Sequence, residues 1–467
     1  MKRTVGQFLL TSLILLTVTL FQNCGGAGGG GGGSNSAASG DWYYHFDCNG
    51  DPGCLSTNFT GGTYGDSNMG PVYSSCQSML TFANINWSSP ASNWCDHSPT
   101  GSVGGGGTGG LGAPTFSSMS ASSGAPGTSI VQIYGTHFPT STSLVTATYC
   151  GRTLQVTYSV STQVTVKIPY MAACKSPITL TTAAGSVNTT PYTVLVNFRA
   201  VAASGTQTVI TGDWGSIMTS TNGSTWVPRA SGVSTSINSN LNTVNWNGTQ
   251  FMTGGDNLYN LRSSDGITWA QLHVGGLLSY MSLIYTGSQY VAVGSGSTAV
   301  TSPDGGTWTT GASIPYDLYY SVAYNGSTYV AAGGSAIYSS GDASTWTARV
   351  TPAASRAVAW NGSEFKVVGS AGDFWVSSDG ITWLASNTGQ SFELLGITAH
   401  GAQFVAVGKS GTILTYNGVG GWVGQTSGTS QHLYGVAWTG SMYVAVGAQN
   451  TIVTSPDGVT WTVRSAF

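Results

Sequence analysis

The chain has 467 residues, of which only 6% are charged while 40% are apolar and 11% aromatic, and it carries a net charge of −3 with 68 glycines. So few cations, with no basic stripe, exclude a surface built to neutralise phosphates, so nucleic acid is not an expected partner. The aromatic content excludes disorder over most of the length, and Gly, Ser, Thr and Asn solvate the surface in place of charge, as in many exported β-rich proteins.

Met1-Lys-Arg3 is a basic opening, followed by an apolar run from Val5 to Phe21. The run falls short of the roughly 20 residues a spanning helix needs, and no other segment approaches it, so it reads as an export signal. It ends in "LFQNCGG", with Cys24 followed by a Gly-rich tract to residue 33. That arrangement resembles a bacterial lipoprotein signal peptide. The resemblance implies that residues 1–23 are removed and that Cys24 is acylated as the new N-terminus. The lipid would then anchor the protein in the cell envelope, in the outer membrane, facing the exterior or the periplasm. Residues 24–40 form the tether behind that anchor, and a second Gly-rich linker spans 99–112. A flexible linker of this length has an end-to-end distance of roughly 20–24 Å.

Removing Cys24 from the seven cysteines leaves an even set, Cys48, Cys54, Cys76, Cys95, Cys150 and Cys174, which fits disulfides in an oxidising compartment. No CxxC pair or Cys/His spacing points to a metal. The first four of these lie in a small aromatic-rich module, 41–98, where two disulfides would replace a large core; three pairings are open. Asp47-Cys-Asn49-Gly-Asp51 has the alternating oxygens of a calcium loop but lacks the glycine and the distal carboxylate of one, and reads as a turn. No metal or cofactor is expected.

Residues 113–197 alternate short apolar strands with turns, as a β-sandwich does. Pro114-Thr-Phe116, Ser123-Gly-Ala-Pro-Gly127, Val131-Gln-Ile-Tyr-Gly135-Thr-His-Phe138 and Val164-Thr-Val-Lys-Ile-Pro169 resemble an IPT/TIG immunoglobulin-like domain. The resemblance implies a spacer or interaction module, with Cys150 and Cys174 paired inside it.

From residue 198 to the end the sequence repeats. A Ser-x-Asp-Gly-x-Thr-Trp box places Asp265 before Trp269, Asp304 before Trp308, Asp379 before Trp383 and Asp457 before Trp461. Asp342 with Trp346 and Asn222 with Trp226 vary it, and Asn417 with Trp422 is a degraded copy with one extra residue. The tryptophans are 43, 39, 38, 37, 39 and 39 residues apart. Each unit also has two short apolar runs around an Asn-Gly or Thr-Gly pair, the signature of a tight hairpin. Four strands per unit and seven units predict a seven-bladed β-propeller and an all-β chain. In a tight turn the Asp or Asn accepts backbone N–H groups and the Trp packs as an apolar plate. A feature present in every unit is scaffold, so no catalytic residue is assigned to it. The pattern resembles the Asp-box (BNR) repeat of sialidases, xyloglucanases, sortilin-like receptors and photosystem assembly factors, shortened here by one residue. That resemblance implies the propeller and leaves function open.

With the boxes on one face, the opposite loops collect the candidate ligand residues Asp213, Trp214, Asp256, Tyr259, Tyr316, Tyr319, Arg356, Asp373, Glu393, His432 and Tyr434. Aromatics among sparse polar groups suit an extracellular glycan or protein ligand, bound by a monomer. The alternative is a glycoside hydrolase, which would need two of these carboxylates about 5–10 Å apart across an open groove.

Overall fold

A computed structural model describes residues 18–21, 43–46 and 112–467, apart from short stretches at 234–238, 257–258, 274–278, 296–298, 312–314, 316, 351–353 and 419–420. The chain divides into two units, 1–109 and 110–467. In the first, β1 (Val18–Phe21) pairs antiparallel with β2 (Tyr43–Phe46). Cys24, Cys48, Cys54, Cys76 and Cys95, and the Asp47–Asp51 turn, lie outside the described residues. Among the described residues no helix is long and apolar enough to cross a membrane.

The second unit begins with eight strands: β3 (Thr115–Met119), β4 (Ser123–Gly124), β5 (Ile130–Thr136), β6 (Thr146–Tyr149), β7 (Arg152–Val160), β8 (Gln163–Lys167), β9 (Cys174–Thr182) and β10 (Gly185–Val194). They pair in the order β3-β5-β8-β7-β6-β9-β10-β4. Strand β7 pairs with β6 through Arg152–Leu154 and with β8 through Gln155–Val160, with a bulge between Val156 and Tyr158. Bulges bend strands, so one strand serves both halves, and Val131, Ile133, Val164 and Val166 share a buried core with Ala147, Ile178, Leu180 and Tyr192. Cys150 and Cys174 are joined by a disulfide, with 6.7 Å between their Cα atoms.

Residues 198–464 form seven sheets of four strands each, every sheet built from four consecutive strands that we call A to D from the axis outward. The A strands of successive blades touch, and those of blades 1 and 7 meet, so the ring closes. The blades span 198–229, 241–273, 280–310, 319–350, 355–387, 394–425 and 433–464. The B strands are buried along their length, as in "YVAVG" of blades 3 and 7, because each is flanked by strands and covered by neighbouring blades on both faces.

The box turns join C to D. In blade 2, Ser263 Oγ accepts Gly266 N at 2.8 Å and donates to Asp265 Oδ1, which also accepts Ile267 N and Thr268 N at 2.8 Å each. Trp269 Nε1 donates to Gly266 O, and its ring packs near Phe251 of strand B. The same set recurs at Asp304, Asp379 and Asp457, while Asn222 takes the same turn amides without a charge. The tryptophans sit in the seam with the preceding blade: Trp461 shares a buried cluster with Val405, Val407 and Ile413.

In blade 6, Asn417 Oδ1 accepts Gln403 Nε2 at 2.8 Å, and the turn residues 419–420 that follow it lie outside the described residues. The seam beside this blade is filled differently. Strand B of blade 5 carries Lys366 where the other blades carry Val209, Met252, Val291, Val330, Val405 and Val444. Lys366 is 1% exposed, pairs with Glu364 at 2.8 Å, and places its ammonium 4.1 Å from the ring of Tyr416 and 5.1 Å from that of Phe404.

Candidate functional site

The face opposite the boxes is organised by a bulge that recurs in every blade. Near the start of each A strand the register slips by one residue, leaving Arg199, Asn242, Met281, Tyr320, Arg356, Leu395 and Tyr434 without a partner on strand B. Bulges re-aim side chains, and here they set seven residues of five types at equivalent places around one end of the ring. The frame beneath them is uniform. The residue just after each B strand donates its N–H to the carbonyl two residues before the bulge, as in Asp213 to Asn197, Asp256 to Asn240 and Lys409 to Glu393. Strand B ends in glycine in all seven blades because the neighbouring backbone leaves no room: a Cβ on Gly255, Gly294 or Gly447 would lie 1.8–1.9 Å from a carbonyl oxygen.

On this frame the polar residues form a chain of contacts across blades. Arg356 lies with its guanidinium 4.2 Å from the ring centre of Tyr320 on blade 4 and donates through Nε to Glu393 Oε1 at 2.5 Å on blade 6. Lys409 takes the other oxygen at 2.7 Å. Burial pushes the Glu393 carboxyl up, but the hydrogen bonds from Lys409 and Arg356 and their charges outweigh it and hold Glu393 below its usual range. Ser410 N donates to His432 Nδ1 at 3.0 Å, which makes that nitrogen the acceptor. On blade 1, Arg199 Nε meets Asp213 Oδ1 at 2.5 Å and Asn197 Nδ2 meets Oδ2 at 2.8 Å. Tyr434 stands between these groups; burial raises its hydroxyl, with Arg199 and Lys409 opposing and Asp213 adding to the rise.

Asp256 is saturated by Asn240, Asn242 and Ser279 at 2.5–2.8 Å. Asp317 accepts Ser335 N and Oγ and Leu318 N; burial raises its carboxyl, but these bonds prevail and lower it. Asp373, at the start of a C strand, is tied to Asn387 Nδ2 at 2.6 Å.

Two of the sequence-chosen ligand residues are placed elsewhere. Tyr319 is fully buried, with its hydroxyl on Pro315 O and its ring against Tyr338; the next residue, Tyr320, is the one on the face. The slip of one residue at the bulge reverses which of two adjacent tyrosines faces the core. Trp214 is not free for a ligand, because its ring is stacked on Tyr170 of the eight-stranded domain at 4.3 Å. Tyr316 and the side chain of Tyr259 lie outside the described residues. Sequence reading also missed Arg199, Asn242, Met281, Tyr320 and Leu395, whose common signal is a fixed offset before the glycine of the A–B hairpin: Gly205, Gly248, Gly287, Gly326 and Gly401.

No protein-family model matches the chain, and no curated protein matches it. Among solved structures it is similar to "YCF48 bound to D1 peptide" at 16% identity, covering 57% of this chain and 92% of the other, with a TM-score of 0.49. It is also similar to YCF48 from Cyanidioschyzon merolae at 17% identity, over 56% and 95% of the two chains, with a TM-score of 0.47. The WD40 propeller domain of Doa1 matches at 13% identity, over 56% and 92%, with a TM-score of 0.46. The functional reading therefore rests on this chain's own face. Among the described residues no cluster of three His, Cys, Asp or Glu side chains is suited to a metal.

Proposed function

We propose that this chain is an exported binding protein, held in the outer membrane by a lipid on Cys24, whose propeller recognises an extracellular glycan or protein. In this reading the propeller is of the Asp-box (BNR) type, 113–197 is an IPT/TIG-like domain, and the ligand meets the bulge ring. One observation carries it. At the box turns equivalent positions repeat the same chemistry, whereas the seven bulges carry five residue types: Arg199, Asn242, Met281, Tyr320, Arg356, Leu395 and Tyr434. Repeated residues hold the fold; varied, half-buried polar and aromatic residues on one rigid face are what a recognition surface requires.

The glycosidase alternative is less well supported. An acid catalyst of that class needs a carboxyl held above its ordinary pKa, and Glu393 and Asp317 are held below theirs.

The test uses the full-length chain on a glycan array and in pull-downs from envelope fractions, with Tyr320→Ala, Arg356→Ala and Tyr434→Ala beside wild type. A ligand bound by wild type should be lost or weakened at least tenfold in these variants with the melting temperature unchanged. Ligand binding indifferent to all three would sink the reading, and cleavage of a bound polysaccharide would replace it with hydrolysis. Mass spectrometry of protein from its native envelope tests the anchor: a mature N-terminus other than acylated Cys24 would refute it.

A further inference from the structure

The seam between blades 7 and 1 differs from the other six. Elsewhere the chain itself crosses from the D strand of one blade to the A strand of the next. Because every sheet is made of four consecutive strands, no strand is shared between the first and last blades to close the ring. The A strands there approach closely, with a Cβ on Gly435 falling 2.6 Å from Arg199 O, yet no covalent link holds them. An unlinked seam carries the full cost of closing the ring, so something must hold it.

The eight-stranded domain reaches both sides. On the blade 7 side, Asn450 Nδ2 donates to Val194 O at 2.8 Å, and Asn450 Oδ1 accepts Val196 N at 2.9 Å. Asn450 N also donates to Val196 O at 2.8 Å. Val194 ends β10, and Val196 leads directly into strand A of blade 1. Asn450 makes these bonds from the left-handed region, φ 62°, which asparagine tolerates better than most residues. On the blade 1 side, Ala173 N donates to the fully buried Ser216 Oγ at 2.9 Å, and Tyr170 stacks on Trp214. One buried cluster runs through the domain, blade 1 (Ile210, Met218, Trp226) and blade 7 (Val444, Val446, Ile452).

The domain is braced at these contact points. The Cys150–Cys174 disulfide fixes the residue after Ala173, and the one Tyr149 hydroxyl lies within hydrogen-bond distance of both Cys174 O and Tyr192 O, next to the two docking segments. The docked turn also supports the ligand face. Asp213, which precedes Trp214, orients Arg199, and Trp214 N donates to Oδ1 of Asn240, whose Nδ2 donates to Asp256.

We infer that the β3–β10 domain is the clasp that closes the propeller, and that Asn450 and Tyr170 are positioning residues for the blade 7 and blade 1 part of the bulge ring. The domain is then a working part of the recognition surface, not a spacer. This builds on the proposed function but is tested without any ligand. Hydrogen exchange with mass spectrometry on the full-length chain compares blades 7 and 1 with blades 3 to 5. Asn450→Gly keeps the left-handed backbone and removes both side-chain bonds; Tyr170→Ser removes the stack and Tyr170→Phe retains it. In Asn450→Gly and Tyr170→Ser, exchange in blades 7 and 1 should rise about tenfold or more with blades 3 to 5 unchanged, and Tyr170→Phe should match wild type. Unchanged exchange at the seam, an equal rise in every blade, or a Tyr170→Phe variant as open as Tyr170→Ser would each overturn the clasp.

Discussion

Lys366 offers a direct test of how the blades are held. It is the one charged residue at a B-strand position that is apolar in the other six blades, and its ammonium lies over Phe404 and Tyr416 of the next blade. Truncation to alanine opens a cavity lined by Tyr416 and Phe404 and leaves Glu364 without its partner, at a cost of about 3–5 kcal/mol. Methionine has similar length and no charge. It forfeits the cation–π attraction, about 2 kcal/mol for a desolvated site, but also the desolvation of an ammonium that is 1% exposed, and Glu364 can still reach water at 29% exposure. These terms nearly cancel, so Lys366→Met should stay within about 1 kcal/mol of wild type. With an unfolding entropy of about 2.1 cal/mol/K per residue over roughly 350 cooperating residues, 3–5 kcal/mol corresponds to about 4–7 °C. Near-UV circular dichroism should therefore show Lys366→Ala melting about 4–7 °C lower and Lys366→Met within about 2 °C. A methionine variant as unstable as the alanine variant would show that the charge, not the filled volume, holds this seam, and would refute the reasoning.

Trp461→Ala should cost about 3–5 kcal/mol and Asp457→Ala about 1–3 kcal/mol in thermal unfolding, with neither altering affinity in the folded fraction; a box variant that keeps its melting temperature yet loses binding would make the box a site. Tyr319→Ala should lower the melting temperature while Tyr320→Ala leaves it unchanged, and the reverse order in parallel melts would show that the bulge assignment is wrong. Backbone hydrogen bonds lower the carboxyls of Asp265, Asp379 and Asp457, and bring Asp342 down to about 2. A folded value below the unfolded one means stability that is present above about pH 4 and lost as pH falls toward 2. Changing these four aspartates to asparagine, as at Asn222, should flatten the acid-unfolding curve across that window; an unchanged curve would place the acid-sensitive groups elsewhere.

The sequence by itself determined the seven-fold repeat, the hairpins and the box turns, because their bonds are local. Asp265 reaches amides two and three residues on, and Asn247 does the same at 2.8–2.9 Å to cap its hairpin. Such contacts are written in spacing alone, so a periodic sequence displays them. The tertiary structure alone decided which residues face a ligand. Tyr319 and Tyr320 are indistinguishable by composition, and only the pairing of strand A with strand B, slipping between Tyr319 and Ser321, buries one and presents the other. The same holds for Trp214, covered by a tyrosine 44 positions earlier, and for Asn450, bonded to a chain segment more than 250 positions away. Register across strands and contact between domains depend on partners distant in sequence, whose positions no local pattern encodes.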